Sequence, residues 1–216
     1  MKKWRFLLIT ILVGLSLSLF FFFVPFNNVA KRIPILRGFY KNTSLEIVTP
    51  NGKSTIKIDG KEYGDTPVNI ENLVAGTYQV ELIREAEKDS FYKSHKFTVE
   101  MTKNTTSRIN MEIGPGDNIH GFVLYYLEDS TITDDTGQIT ITSSAEDAMI
   151  YLDEEYLEKV PLTNFNLPTG EYTIEIRASN YEDLSFPIVI EPGYILNIKG
   201  YQLPIPISFE SVEDNE

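Results

Sequence analysis

Gly52-Lys53-Ser54, at the end of Thr49-Pro50-Asn51-Gly52-Lys53-Ser54, is the nearest this sequence comes to a phosphate-binding loop. That loop needs another glycine five residues before Gly52, and position 47 is Ile. Asn51-Gly52 fits a hairpin turn better, because both residues tolerate positive φ. His95 and His120 are the only imidazoles, and neither has a Ser or Cys partner at a recognisable triad spacing. The chain has no Cys, which excludes a thiolate nucleophile, a disulfide framework, a zinc–thiolate site and lipidation at a lipobox.

Carboxylates are plentiful, in groups at Glu128-Asp129, Asp134-Asp135, Asp153-Glu154-Glu155 and Glu182-Asp183. Glycoside hydrolysis needs two of them facing each other across a cleft. Calcium needs several oxygen ligands, and Asp134-Asp135 is the most suitable place for it, but no D-x-D-x-D-G loop is present. These groups read as solvated acidic loops. Tyr125-Tyr126, Phe91-Tyr92 and Tyr151 with Tyr156 have the ring chemistry to stack on sugars. Alternating strands send about half of such residues to the core. No residue is therefore assigned a catalytic, cofactor-binding or metal-binding role, and the expectation is a protein that is not an enzyme and carries no cofactor.

Charge is distributed unevenly. Through Lys41 every charged residue is basic, seven in all, whereas from Gly114 onward 3 basic residues face 20 acidic ones, a net of −17. So acidic a half repels phosphate backbones, which excludes nucleic acid, and any protein partner it meets is expected to be basic. Residues 6–26 carry no charge, and about 20 apolar residues cross the hydrocarbon core as a helix. Trp4 suits the interface, Lys2, Lys3 and Arg5 flank the run, and Pro25 with Asn27-Asn28 ends it. A cleaved signal peptide is the competing reading, but the apolar region is long and no small-x-small cleavage site follows it. Lys31, Arg32, Arg37 and Lys41 nearly balance the N-terminal charges. A short basic N-terminus usually stays cytoplasmic, which places the body of the protein outside.

The elements that must position these residues are strands. Residues 45–48, 55–58 and 77–82 alternate with period 2 between turn residues, Asp59-Gly60 among them. Shifting the chain by 94 residues superimposes the core of one repeat on the other without a gap, although the first copy carries a longer charged insert (residues 85–90) after Arg84. Leu45 falls on Ile139, Ile47 on Ile141, Ile56 on Ile150, Asp59 on Asp153 and Pro67 on Pro161. Leu73 falls on Leu167, Gly76 on Gly170 and Tyr78 on Tyr172. Pro67 and Pro161 belong where a strand begins at a sheet edge, since proline donates nothing to a central ladder. Tyr78, Tyr172 and the aliphatics at alternate positions after them should face the core. Between the copies, residues 119–127 (IHGFVLYYL) read as one more strand, added to the first copy's sheet.

The string Asp59-Gly60-Lys61-Glu62-Tyr63-Gly64-Asp65-Thr66-Pro67, followed by Leu73-Val74-Ala75-Gly76-Thr77-Tyr78, resembles the PEGA domain. The second copy is similar to it through Asp153, Pro161 and Leu167-Pro168-Thr169-Gly170-Glu171-Tyr172. It departs where Glu154 and Glu158 stand for the two glycines and Val160 for the threonine, and neither copy holds the P-E-G-A string itself. The resemblance implies a small β-sandwich of bacterial or archaeal surface proteins, with no catalytic residues attached to the family. The expected architecture is all-β, with two tandem antiparallel sandwiches behind one transmembrane helix. Its parts are a signal anchor (1–28), a basic juxtamembrane stalk or plain polar linker (29–42), a first domain (43–128), a linker (129–137), a second domain (138–204) and an acidic tail (205–216). The function expected is that of a single-pass cell-membrane protein whose extracytoplasmic domains serve as a spacer or protein-interaction module of the envelope. The alternative is a carbohydrate-binding module for cell-wall or surface-layer glycans.

Overall fold

The computed structural model of the chain describes residues 43–86, 91–132 and 135–206. The apolar segment 6–26, the basic stretch after it, Asp134 and residues 207–216 lie outside the described residues, as does most of the charged insert after Arg84.

Every element among the described residues is a β-strand. The first copy contributes β1 (Ser44–Val48), β2 (Ser54–Ile58), β3 (Lys61–Asp65), β4 (Val68–Glu71), β5 (Gly76–Arg84), β6 (His95–Met101) and β7 (Thr106–Ile113). The second contributes β9 (Thr136–Ser143), β10 (Met149–Leu152), β11 (Glu155–Lys159), β12 (Leu162–Pro168), β13 (Gly170–Arg177), β14 (Leu184–Ile190) and β15 (Tyr194–Tyr201). Between them runs β8 (Ile119–Glu128). Each copy forms a four-stranded sheet, β3-β2-β5-β6 in the first and β11-β10-β13-β14 in the second. Period-2 burial drives this arrangement: Ile56, Ile58, Val80, Leu82, Phe97 and Val99 point inward while their neighbours face water.

The expected pair of sandwiches is present, but the two copies are not separate. The remaining strands form one seven-stranded sheet in the order β12-β9-β15-β8-β7-β1-β4. β8 pairs antiparallel with β7 on one side and with β15 on the other. It therefore extends both copies' sheets, where the sequence pattern assigned it only to the first. The sheet reads the same from either edge, copy for copy, with β8 at its centre. Nor are the sandwiches purely antiparallel: β1 runs parallel to β7, and β9 parallel to β15. The first and last strands of each copy therefore lie side by side and run in the same direction.

Alternate residues of β8 serve opposite faces. Phe122, Leu124 and Tyr126 pack into the second copy's core, whereas Val123, with Ile119 and Tyr125 against it, packs into the first copy's. The two four-stranded sheets thus cover opposite faces of the long sheet. Pro67 and Pro161 immediately precede β4 and β12, the edge strands of that sheet, as their chemistry requires. At each proline the chain leaves the small sheet for the large one. At Gly121 the backbone of β7 lies close against β8. The glycine φ is +141°, and a Cβ there would lie 2.0 Å from the Asn110 carbonyl oxygen.

Candidate binding grooves between the repeats

The residues that carry the repeat signature are engaged in holding turns. Asp59 and Asp153 have positive φ, 49° and 48°. The Asp59 carboxylate accepts from the Gln79 N–H at 3.0 Å while the Asp59 N–H donates to the Gln79 carbonyl at 2.9 Å. Asp153 does the same with Thr173, at 2.8 and 2.9 Å. The tyrosines of Leu-x-x-Gly-x-Tyr close a loop of the kind called a tyrosine corner, the hydroxyl reaching a carbonyl shortly upstream. Tyr78 donates to the Val74 carbonyl at 2.7 Å, and Tyr172 to the Pro168 carbonyl at 3.1 Å. Thr66 is buried, and its hydroxyl accepts from the Ser54 N–H at 3.0 Å and meets the Thr49 hydroxyl. The motif specifies backbone connections, so the chemistry of the protein has to be sought elsewhere.

The candidates named from sequence are scattered. Lys53 pairs with Asp65 at 2.9 Å, and the Asn51 side chain donates to the Ile113 carbonyl at 3.3 Å and accepts from the Ile113 N–H at 3.2 Å, so this hairpin is tied to the end of β7. Ser54 is fully buried. The Lys53 ammonium and a Thr55 hydroxyl bond hold Asp65 below the usual carboxylate range. His95 opens β6 in a small sheet and His120 lies in β8 of the large one. His95 Nε2 and His120 Nδ1 are buried with no hydrogen-bond partner among the described residues. Burial lowers the His95 pKa, and Lys93 adds to that effect against the pull of Asp117.

The acidic groups sit on separate turns. Asp129 accepts from the Thr131 N–H and hydroxyl at 2.9 and 2.7 Å, bonds that lower its pKa, and Asp183 lies 3.9 Å from Arg177. Among the described residues no three His or acidic side chains are grouped to hold a metal. Phe91 packs edge-on to Tyr92, with the Arg84 guanidinium 4.5 Å from the Tyr92 ring centre. Tyr151 meets Tyr156 in the same way and carries Arg177 at 4.3 Å. Tyr126 is buried, donates to the Val189 carbonyl at 2.8 Å, and has its pKa pushed up to about 12, chiefly by burial.

What the structure brings together instead are two grooves. Because the small sheets cover opposite faces, each copy leaves the outer face of the other's strands open. One groove has β7 as its floor and β14 as its wall, in clefts of about 270 and 400 Å³ lined by residues such as Arg108, Tyr126, Pro187 and His120. The other has β15 and β9 as floor and β6 as wall, in a cleft of about 460 Å³ holding Thr98, Tyr125, Thr140, Asn197, Lys199 and Tyr201. Tyr194 bridges the copies by donating to the Lys103 carbonyl at 3.4 Å, and the Thr102 hydroxyl donates to the Tyr126 carbonyl. Burial raises the pKa of Tyr125 on the second floor, reinforced by Glu100. These grooves were missed because they depend on β8 pairing with both copies. One signal pointed there: Phe122 to Tyr126 is an unbroken apolar run, which suits a strand covered on both faces.

Comparison with known families accounts for the duplication. A search of curated proteins returns no match to the chain. The family model for the PEGA domain matches it twice, over residues 42–117 and 136–201. Those two stretches span more than half of the chain and coincide with the two seven-stranded copies on either side of β8. By its sequence, its duplicated turns and its sandwich strands, this chain belongs to the PEGA domain family.

Proposed function

We propose that this protein is a membrane-anchored, non-catalytic module of the cell envelope, whose fused repeats act as a rigid spacer and docking surface outside the cytoplasm. The observation that carries this reading is β8, a single strand buried in both cores and paired with both copies. A chain of two independent domains bends at its linker. One sheet running through both copies resists such bending and keeps the two grooves at a fixed separation. The role as a display module is supported by the engagement of the signature residues in turns. The membrane tether is supported by the uncharged run at residues 6–26 and its basic, Trp4-bearing flank.

The test is protease shaving of intact cells producing the full chain with a C-terminal epitope. Loss of the epitope, with a short N-terminal stub retained in carbonate-washed membranes, is expected. Full protection of the epitope, or release of the chain by the carbonate wash, contradicts the reading.

A further inference from the structure

On the side of the first copy away from β8, a cleft of about 580 Å³ opens between the edge strands β3 and β4. Its lining is apolar at Ile58, Ile70, Leu73 and Val74, and charged at Asp59, Lys61 and Glu71. Tyr63 lines it too, as the bulged residue of β3: Ile56 pairs with Gly64 and Lys57 with Glu62, and Tyr63 is skipped. Tyr63 is 37 % exposed and does not join the first copy's core, and the Lys61 ammonium lies 5.3 Å from its ring centre. The second copy treats the same bulge differently. There the skipped residue is Leu157, and it packs against the core.

The chain enters the fold beside this cleft. The Thr43 carbonyl accepts from the Leu73 N–H at 3.1 Å, and Ser44 pairs with Glu71. Phe39, Tyr40 and Lys41 come just before and lie outside the described residues. An extended chain covers at most about 3.3–3.6 Å per residue, so Phe39 reaches about 13 Å from Thr43. The second copy supplies the route. Asp135, the counterpart of Lys41, accepts through its carbonyl from the Thr169 N–H at 3.3 Å, and Thr169 is the counterpart of Ala75. The same route takes Lys41 past Ala75, next to Val74 in the cleft lining. The copies also differ together. The entering segment is Phe39-Tyr40 where the cleft keeps Tyr63, and Thr133-Asp134 where Leu157 packs inward.

We propose that the Phe39-Tyr40 pair of this chain docks into the cleft between β3 and β4 and fastens the entering segment to the first sandwich. Aromatic rings gain most from such a site, since they bury a large apolar area and pack edge-on against another ring, here Tyr63 or Tyr78. Charge agrees with this occupant. Arg37 and Lys41 flank the pair, and the cleft offers two carboxylates, Asp59 and Glu71, against one ammonium, Lys61. Glu71 has no ion-pair partner among the described residues. An exposed pair of charges contributes little, so the rings carry the docking and the charges orient it. The contact needs only this chain and goes beyond the envelope reading. Its consequence is a stiff joint where the chain enters the fold, in place of a free linker.

The experiment is disulfide trapping in the full chain in detergent micelles, which has no Cys of its own. Phe39→Cys and Tyr40→Cys are each combined with Tyr63→Cys, so that one aromatic ring of the pair remains to dock. In at least one combination, mild oxidation is expected to close an intramolecular bond at least about tenfold faster than with Tyr156→Cys in place of Tyr63→Cys, because the two Cα atoms must come within about 7 Å. Tyr156 is exposed on the second copy and serves as the distant control. In the otherwise unaltered chain, Phe39→Ala combined with Tyr40→Ala is expected to speed amide exchange at Leu73 by about tenfold, by loosening the Thr43 end of its hydrogen bond, and to leave Thr169 unchanged. Closure no faster than the control in both combinations, or unchanged exchange at Leu73, overturns the proposal. So does a disulfide-linked dimer in place of the closed monomer, which assigns the cleft to a second copy.

Discussion

The first and second repeats build the same turns from different atoms. In the first, the Thr66 hydroxyl accepts from the Ser54 backbone N–H and meets the Thr49 hydroxyl, while the Ser54 hydroxyl is buried with no hydrogen-bond partner among the described residues; in the second, Ala148 and Val160 occupy the positions of Ser54 and Thr66. The backbone bond at this place survives the exchange. Thr66 N–H donates to the Ser54 carbonyl and Val160 N–H to the Ala148 carbonyl, both at 2.9 Å. The edges differ too: Thr98 in β6 and Pro187 in β14 pair with the equivalent residues Gln79 and Thr173. Proline lacks the N–H that a further strand would need, so the second copy's small sheet is closed to strand addition at that point. The pair teaches that the family fold requires a backbone pattern and a few side-chain anchors, and leaves the surface chemistry of each copy free to diverge.

The strongest way to break the comparison is at the strand both copies share. Gly121→Ala sets a methyl group against the β7 backbone at a φ that L-residues rarely adopt. It is expected to cost about 3 kcal/mol. Amide hydrogen exchange of the full chain should show faster exchange at β7 and β8; a variant with unchanged protection there refutes the close approach. A smaller effect separates the two tyrosine corners. Tyr78 is buried and Tyr172 half-exposed. Tyr78→Phe is therefore expected to lower stability by about 1 kcal/mol, and Tyr172→Phe by distinctly less, because water can reach the carbonyl it abandons. Equal losses in thermal melts would show that burial does not distinguish the corners. The smallest effect has the opposite sign. Glu154 holds φ +70° where the first copy has Gly60 at +78°. Glu154→Gly should stabilise the protein by somewhat under about 1 kcal/mol, relief of the left-handed strain exceeding glycine's entropic cost. A lowered melting temperature would mean that Glu154 makes a compensating contact.

Much of this architecture was legible from the residues. Alternation at Leu45, Ile47, Ile56 and Ile58 located β1 and β2, and the 94-residue shift located their counterparts, because a two-residue period and a duplicated turn are local properties. Pro67 and Pro161 marked sheet edges for the same reason. The partner of β8 was not legible on both sides: which strand lies next to which is a long-range choice, and residues 119–127 suit either neighbour. The parallel pairing of β1 with β7 was hidden in the same way, since hairpin signals speak only of adjacent strands. The grooves followed from those two non-local choices. The row of Thr140, Asn164 and Asn197 was invisible until the strands were laid side by side, as its members lie on three strands far apart in the chain.

The strand directions of the long sheet carry a mechanical consequence. β1 runs parallel to β7, β7 antiparallel to β8, and β8 antiparallel to β15, so β1 and β15 point the same way. The described chain therefore enters at one end of the sheet and leaves at the other. Tension applied between those two points runs along the strands and loads their hydrogen bonds in shear, many at once, instead of peeling them apart singly. Under a pulling force the molecule behaves as a clamp, and its resistance is concentrated at the three strands in the middle.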